Sequence, residues 1–229
     1  MTPMRYAIYY LPEETSPLWR FGSAIIGYDS VSGALTDHPD LGLNLDLALL
    51  TKEPRTYGFH ATLKAPFRLP QGATEAMLLE SAQSFALQQP RFALGHLEVK
   101  ELGTFIALTA RPNETLRAFA AHCVRAFEPF RASMTSDERA RRLRAPLTPR
   151  QVELMDTWGY PYVFEEFKFH MTLTSSILKQ DRTAVRDAIA AAYREVDGAP
   201  SLTSLCVCIQ PQGERFRLLR RFPLAMPPS

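Results

Sequence analysis

Cysteine is scarce in this chain: three residues, Cys123, Cys206 and Cys208, among 229. They are too few, and odd in number, for a disulfide framework, so a fold of this length rests on a buried apolar core. No hydrophobic run approaches the roughly 18–20 residues of a membrane span. The opening Met-Thr-Pro-Met-Arg-Tyr-Ala-Ile-Tyr-Tyr lacks the charged-then-apolar order of a secretory signal, which makes the cytoplasm the default compartment. Nor does charge of one sign prevail. The 26 basic and 24 acidic residues leave +2, without the basic excess of a protein that lives on nucleic-acid backbone. Glycine-rich phosphate loops, dinucleotide fingerprints and the Gly-x-Ser-x-Gly elbow are missing as well. Cys206-Val-Cys208, with one distant cysteine, falls short of the four ligands of a structural zinc site, and no metal or cofactor is expected. What is present is ordinary globular composition, 46% hydrophobic and 22% charged, which excludes a disordered chain.

Apolar periodicity and turn residues predict strands over Arg5–Leu11, Tyr57–Leu69, Phe92–Val99, Thr104–Ala110, Phe164–Ser175, Leu202–Ile209 and Arg215–Pro223. Helices are predicted over Thr74–Gln88, over Asn113–Phe130 with Asn113 as N-cap, from Thr148-Pro149 onward, and over Asp181–Val196 with Asp181 as cap. Residues 12–54 hold turn residues and an alternating leucine run that fix no single element and leave room for short helices. The Arg139, Arg141, Arg142 and Arg144 run reads as a solvated helix face, partly offset by Asp137 and Glu138. The tail after Met226 is expected to fray.

One pentapeptide pattern occurs twice. Phe59-His60-Ala61-Thr62-Leu63 returns 110 residues later as Phe169-His170-Met171-Thr172-Leu173. A helix, a strand, a glycine turn and a second strand are predicted after each copy. Gly103 lies 43 residues beyond His60, and Gly213 lies 43 beyond His170. The chain therefore reads as a single bilobal domain, 1–229, with repeat units at approximately 57–110 and 167–223, related by a pseudo-twofold.

Strand alternation gives each copy a polar face. His60, Thr62 and Lys64 point one way in the first copy; Lys168, His170 and Thr172 do so in the second. An imidazole titrates near neutrality and can give or take a proton. Two of them across one cleft, with two hydroxyls for non-bridging oxygens, suit in-line displacement at phosphorus without a metal. Lys64 and Lys168 would stabilise the developing charge. Tyr160 and Tyr162, just before the second motif, are candidates for the floor of the cleft.

Two His-x-Thr motifs about a hundred residues apart resemble the two-histidine (2H) phosphoesterase superfamily. The stretch from Leu147 through Trp158-Gly-Tyr-Pro-Tyr to Phe169-His170 is similar to a bacterial branch associated with phosphonate-utilisation operons. The resemblance implies an α+β, bilobal fold: two pseudo-twofold-related antiparallel sheets, flanking helices and a central cleft. It implies His60 and His170 as acid and base, in either order, and Thr62 and Thr172 as phosphate ligands. The expected substrate is a small cyclic phosphodiester, a cyclic ribose phosphate or a nucleotide-like compound. An RNA 2′-phosphoester ligase or end-processing enzyme, and a non-catalytic nucleotide- or phosphate-binding module, are the alternatives.

Overall fold

The computed structural model describes residues 4–196 and 198–226; Pro227–Ser229, expected to fray, lie outside the described residues. In chain order the elements are β1 (Arg5–Tyr10), α1 (Pro17–Ile26), α2 (Leu47–Leu50), α3 (Pro54–Tyr57), β2 (Ala61–Phe67), α4 (Glu75–Leu87), β3 (Phe92–Ala93), β4 (Leu97–Leu102), β5 (Phe105–Ala110) and α5 (Glu114–Ala126). There follow α6 (Ser136–Arg142), α7 (Pro149–Trp158), β6 (His170–Thr172), α8 (Lys179–Tyr193), β7 (Ser201–Leu202), β8 (Ser204–Gln210) and β9 (Arg217–Pro223). Short 3-10 turns cover Glu128–Phe130 and Phe164–Glu166.

The fold is mixed α+β, with one large antiparallel sheet, a small second sheet (β3 with β7) and helices packed on them. The large sheet runs β4-β5-β6-β2-β1-β8-β9. Its two wings join where β2 meets β6, through the single pair Ala61 opposite Met171. Beside β6 lies the β4–β5 hairpin, which follows the first motif in sequence; on the other wing lies the β8–β9 hairpin, which follows the second. The helices cross over in the same sense: α4 packs on β8 and β9, and α8 on β4 and β5. One continuous core, including Ile8, Phe59, Leu63, Ile106, Met171, Val207 and Phe216, spans both wings.

Local chemistry explains most boundaries. Thr74, Asn113 and Thr148 cap α4, α5 and α7 by accepting the backbone N–H three residues on. At Thr148, Gln151 returns the bond to complete a capping box, and Pro149 fills the first helical position. Four expectations change. Asp181 is not a cap: α8 begins two residues earlier, after Leu178, with Asp181 in its first turn. The predicted strand at 164–175 contracts to β6, because residues 164–166 coil into a 3-10 turn. The predicted strand at 92–99 divides into β3 and β4, and the helix from Asn113 ends at Ala126. Within residues 12–54 lie α1 and α2, with α3 starting at Pro54; Ser16 Oγ accepts from Trp19 N–H to open α1, and Pro17 follows it.

Candidate active site

The pair Ala61–Met171 organises the site. Both side chains are buried in the core, so their sequence neighbours face the other way. Continuing the antiparallel register one step each way sets His60 across from Thr172 and Thr62 across from His170. All four side chains are half-buried. The cavities follow the same crossed pairing. Thr62 and His170 line a cavity of about 410 Å³ together with Lys168, Tyr160 and Tyr162. His60 and Thr172 line one of about 260 Å³ together with Tyr57 and Thr174. Phe105 lines both, its ring 6.1 Å from that of His170.

Both imidazoles are held alike. His60 Nδ1 lies 2.8 Å from the Gly58 carbonyl and His170 Nδ1 lies 2.8 Å from the Lys168 carbonyl. A carbonyl only accepts, so each Nδ1 carries the proton and donates it, which leaves each Nε2 unprotonated. His60 Nε2 is 3.2 Å from Thr62 Oγ1, and in this tautomer the hydroxyl donates to it. Gly58 sits at φ +77°, and a side chain there would strike Ser30; glycine at this position lets the carbonyl turn back onto the ring. Gly22 of α1 likewise leaves room for the Phe59 ring, next to His60.

Burial sets the electrostatics. Desolvation pushes the His60 pKa down from its ordinary 6.5 to about 4, with the Gly58 hydrogen bond opposing and the His170 charge adding to the fall. His170 is also lowered, again chiefly by desolvation, against its bond to Lys168. Burial thus favours the neutral form of both rings.

Of the eight candidate residues, Thr62, His170, Lys168, Tyr160 and Tyr162 share the larger cavity, and His60 and Thr172 the smaller. Lys64 does not join them. Its side chain is 3% exposed, and its ammonium donates to Glu128 at 2.7 Å and to the Val124 carbonyl at 2.9 Å. The cause is a bulge in β2. Thr62 lies opposite Tyr9, but Lys64 lies opposite the adjacent Ile8, with the register shifting between them. Neighbours on β1 face opposite ways, and so do their partners; the bulge turns Lys64 from the His60 face toward α5. Lys168 stays exposed at the cavity rim. Tyr160 and Tyr162 meet edge to face at 5.5 Å.

Three site residues escaped the reading of the sequence. Tyr9 stacks on His60, centroids 3.8 Å apart and planes 24° apart. Tyr57 borders the same ring at 6.3 Å, and Phe105 stands between the cavities. Tyr9 belongs to a strand whose neighbours read as core, so only the pairing of β1 with β2 reveals its role.

The two His-x-Thr strands join at the centre of the sheet, the arrangement that their resemblance to the two-histidine class implies. More narrowly, the chain belongs to the family described as "Protein of unknown function (DUF1045)", whose profile matches residues 62–217. It is 35% identical over 238 residues to a Janthinobacterium sp. (strain Marseille) protein named ribose 1,5-bisphosphate phosphokinase PhnN, covering 93% of this chain and 52% of that one. A Laribacter hongkongensis (strain HLHK9) protein of the same name is 34% identical over 227 residues, covering 97% and 52%. The chain thus spans about half the length of the curated relatives it matches. Among solved structures, E. coli LigT complexed with NADP+ aligns over 99% of this chain and 100% of its own, at 15% identity and a TM-score of 0.45. No helix of the described residues is long and apolar enough to cross a membrane.

Proposed function

We propose that this chain is a metal-independent phosphodiesterase that opens a small cyclic phosphodiester by two-histidine acid–base catalysis. The observation that carries this reading is the crossed pairing at the sheet seam, where each histidine neighbours the threonine of the other motif. A phosphodiester seated there has an imidazole on either side and two hydroxyls for its non-bridging oxygens. One Nε2 takes a proton from water as its oxygen bonds to phosphorus. The opposite Nε2–H gives a proton to the ester oxygen as that P–O bond breaks, and a phosphate monoester leaves. Each proton transfer contributes about 10²–10⁴-fold.

The two environments support a division of roles. His60 is pushed down to about 4 and suits the base, neutral throughout the physiological range. His170, less strongly lowered, takes up the proton more readily when an anionic phosphate enters, and suits the acid. The pair titrates as a unit, so kcat/KM should trace a bell whose limbs belong to both.

The name of the relatives supports a choice of substrate. Their kinase name does not transfer to a chain without a Gly-x-x-x-x-Gly-Lys-[Ser/Thr] loop, but it names ribose 1,5-bisphosphate. Opening the 1,2-cyclic phosphate of ribose 5-phosphate at its O2–P bond yields that compound. A cyclic ribose phosphate is accordingly our first substrate, in keeping with the phosphonate-operon branch that residues 147–170 resemble. The test is turnover with EDTA present, on this compound, on nucleoside 2′,3′-cyclic phosphates and on a 2′,5′-linked dinucleotide. Hydrolysis abolished by both His60→Ala and His170→Ala is expected. Loss of activity to EDTA, or retention by either variant, would overturn the mechanism.

A further inference from the structure

The cavity that Thr62 and His170 share is bounded mostly by apolar and aromatic side chains; besides the tyrosines, its remaining polar side chains are Gln151, Glu166 and Lys168. At about 410 Å³ it falls within the roughly 300–1,000 Å³ of pockets that enclose a small molecule, where a few fixed polar groups set the orientation. One phosphate is far smaller than this. The rest of the space suits the organic part of a substrate.

Glu166 is half-buried and is held from one side only. Gln151 Nε2 donates to its Oε2 at 2.9 Å. Gln151 is itself anchored: its Oε1 accepts from the Thr148 N–H at 3.0 Å, within the capping box of α7. Among the described residues Glu166 Oε1 receives no hydrogen bond, and the carboxylate makes no ion pair. Its neighbour Glu165 is exposed and paired with Arg150. A partly desolvated carboxylate with a free oxygen lacks the donor that would compensate it, and a substrate in the cavity can supply that donor.

The backbone turns sharply to bring Glu166 there. Phe164, which also lines the cavity, sits at φ +54°, in the left-handed region that a bulky residue rarely enters. Trp158 holds its ring edge to face at 5.0 Å, and the Arg125 guanidinium carbon lies 4.7 Å from its centroid. The 3-10 turn that Phe164 opens ends on Glu166, with three residues between it and His170. Strain of this kind persists where the surroundings enforce it, and it gathers at ligand sites. Here it sets a carboxylate and an imidazole on one cavity wall from a single short segment.

We propose that Glu166 is a specificity-determining residue, which accepts a hydrogen bond from a sugar hydroxyl of the same diester whose phosphorus lies between His60 and His170. The inference rests on the phosphodiesterase reading and narrows it to diesters whose sugar ring keeps a free hydroxyl. A carboxylate oxygen only accepts, so the group that meets it must be a donor. The 1,2-cyclic phosphate of ribose 5-phosphate has one free hydroxyl, on C3, next to the cyclic ester. The aromatic walls then pack on the C–H faces of the ring.

The test compares kcat/KM for the 1,2-cyclic phosphate of ribose 5-phosphate and for its 3-deoxy counterpart. Wild type should favour the hydroxylated compound by roughly ten- to hundredfold, the scale of one hydrogen bond to a charged group. Glu166→Ala should bring that ratio to about one by slowing the hydroxylated compound. Glu166→Gln, neutral and of the same shape, should give a ratio between these two. Glu165→Gln removes the adjacent carboxylate outside the cavity and should keep the wild-type ratio. A wild-type ratio near one, or equal loss on both compounds in Glu166→Ala, overturns the proposal. Binding separates this from failure of the reading beneath it. If neither compound turns over, both are titrated calorimetrically. Tighter binding of the hydroxylated compound that Glu166→Ala removes still supports the contact. Equal binding of the two, a preference that survives Glu166→Ala, or no binding at all rejects it.

Discussion

The burial of Lys64 permits a sharp test, because a cleft lysine and a buried tether respond oppositely to substitution. In Lys64→Met the desolvated ammonium disappears. Glu128 keeps its bonds to Arg131, and the loss is confined to the Val124 carbonyl bond and one ion-pair contact. Replacing a buried charge by an apolar chain of similar volume is close to neutral, so the cost is about 1 kcal/mol or less. Glu128→Gln is different: it leaves the ammonium in the core, 3% exposed, without its carboxylate. Breaking a fully buried pair in this way costs about 3–5 kcal/mol, and the 25% exposure of Glu128 argues for about 3. For a chain of this size 1 kcal/mol moves Tm by about 2–4 °C. Glu128→Gln should therefore melt roughly 6–12 °C below wild type, and Lys64→Met within about 4 °C of it, while phosphodiester turnover by Lys64→Met stays within about threefold. Thermal melts and kcat, measured on the same preparations, decide the matter. If Lys64→Met melts like wild type but loses a hundredfold in kcat, the lysine acts in the cleft and the bulge argument is wrong.

Four further outcomes follow from the site. His60→Ala and His170→Ala should each lower kcat by about 10²–10⁴-fold with melting retained; a loss below tenfold in either would remove that ring from the chemistry. The Tyr9 hydroxyl is buried without a partner, so Tyr9→Phe should match or exceed wild-type stability in urea. Tyr9→Ala should lose about 3–5 kcal/mol and much of kcat, since His60 loses its stacking surface. Stability should fall as pH drops from about 6.5 to about 4, where the unfolded chain protonates His60 and the folded one resists. With a folded pKa of about 4 this amounts to as much as about 3 kcal/mol, the same sign holds for His170, and the slope should flatten in His60→Gln.

Much of the fold was legible wherever one local rule governed. The capped helices at Thr74, Asn113 and Thr148, and both hairpins around Gly103 and Gly213, follow from side-chain hydrogen bonds and turn chemistry within a few residues. Both motif strands were legible because histidine and threonine alternate with core residues. Two features were not. The bulge that removes Lys64 from the site is a fact of the β1–β2 register, which strand alternation cannot contain. The role of Tyr9 comes from cross-strand neighbours more than fifty residues distant.

The exchange of hairpins across the seam bears on how such a molecule folds and how it could arise. Each half of the chain carries the hairpin that completes the other half's wing of the sheet: β4–β5 pairs with β6, and β8–β9 pairs with β1. β6 is completed by a hairpin made a hundred residues' worth of synthesis before the second half is finished, and the first half's α4 remains uncovered until β8 and β9 emerge. Cut between the halves, each fragment would expose an unpaired strand edge and an apolar helix face that fit the other fragment. Two such pieces would have to reassemble before either held a paired histidine and threonine. The covalent chain is, in effect, a strand-exchanged pair with its partners tied together, and catalytic competence would come only with the last strand.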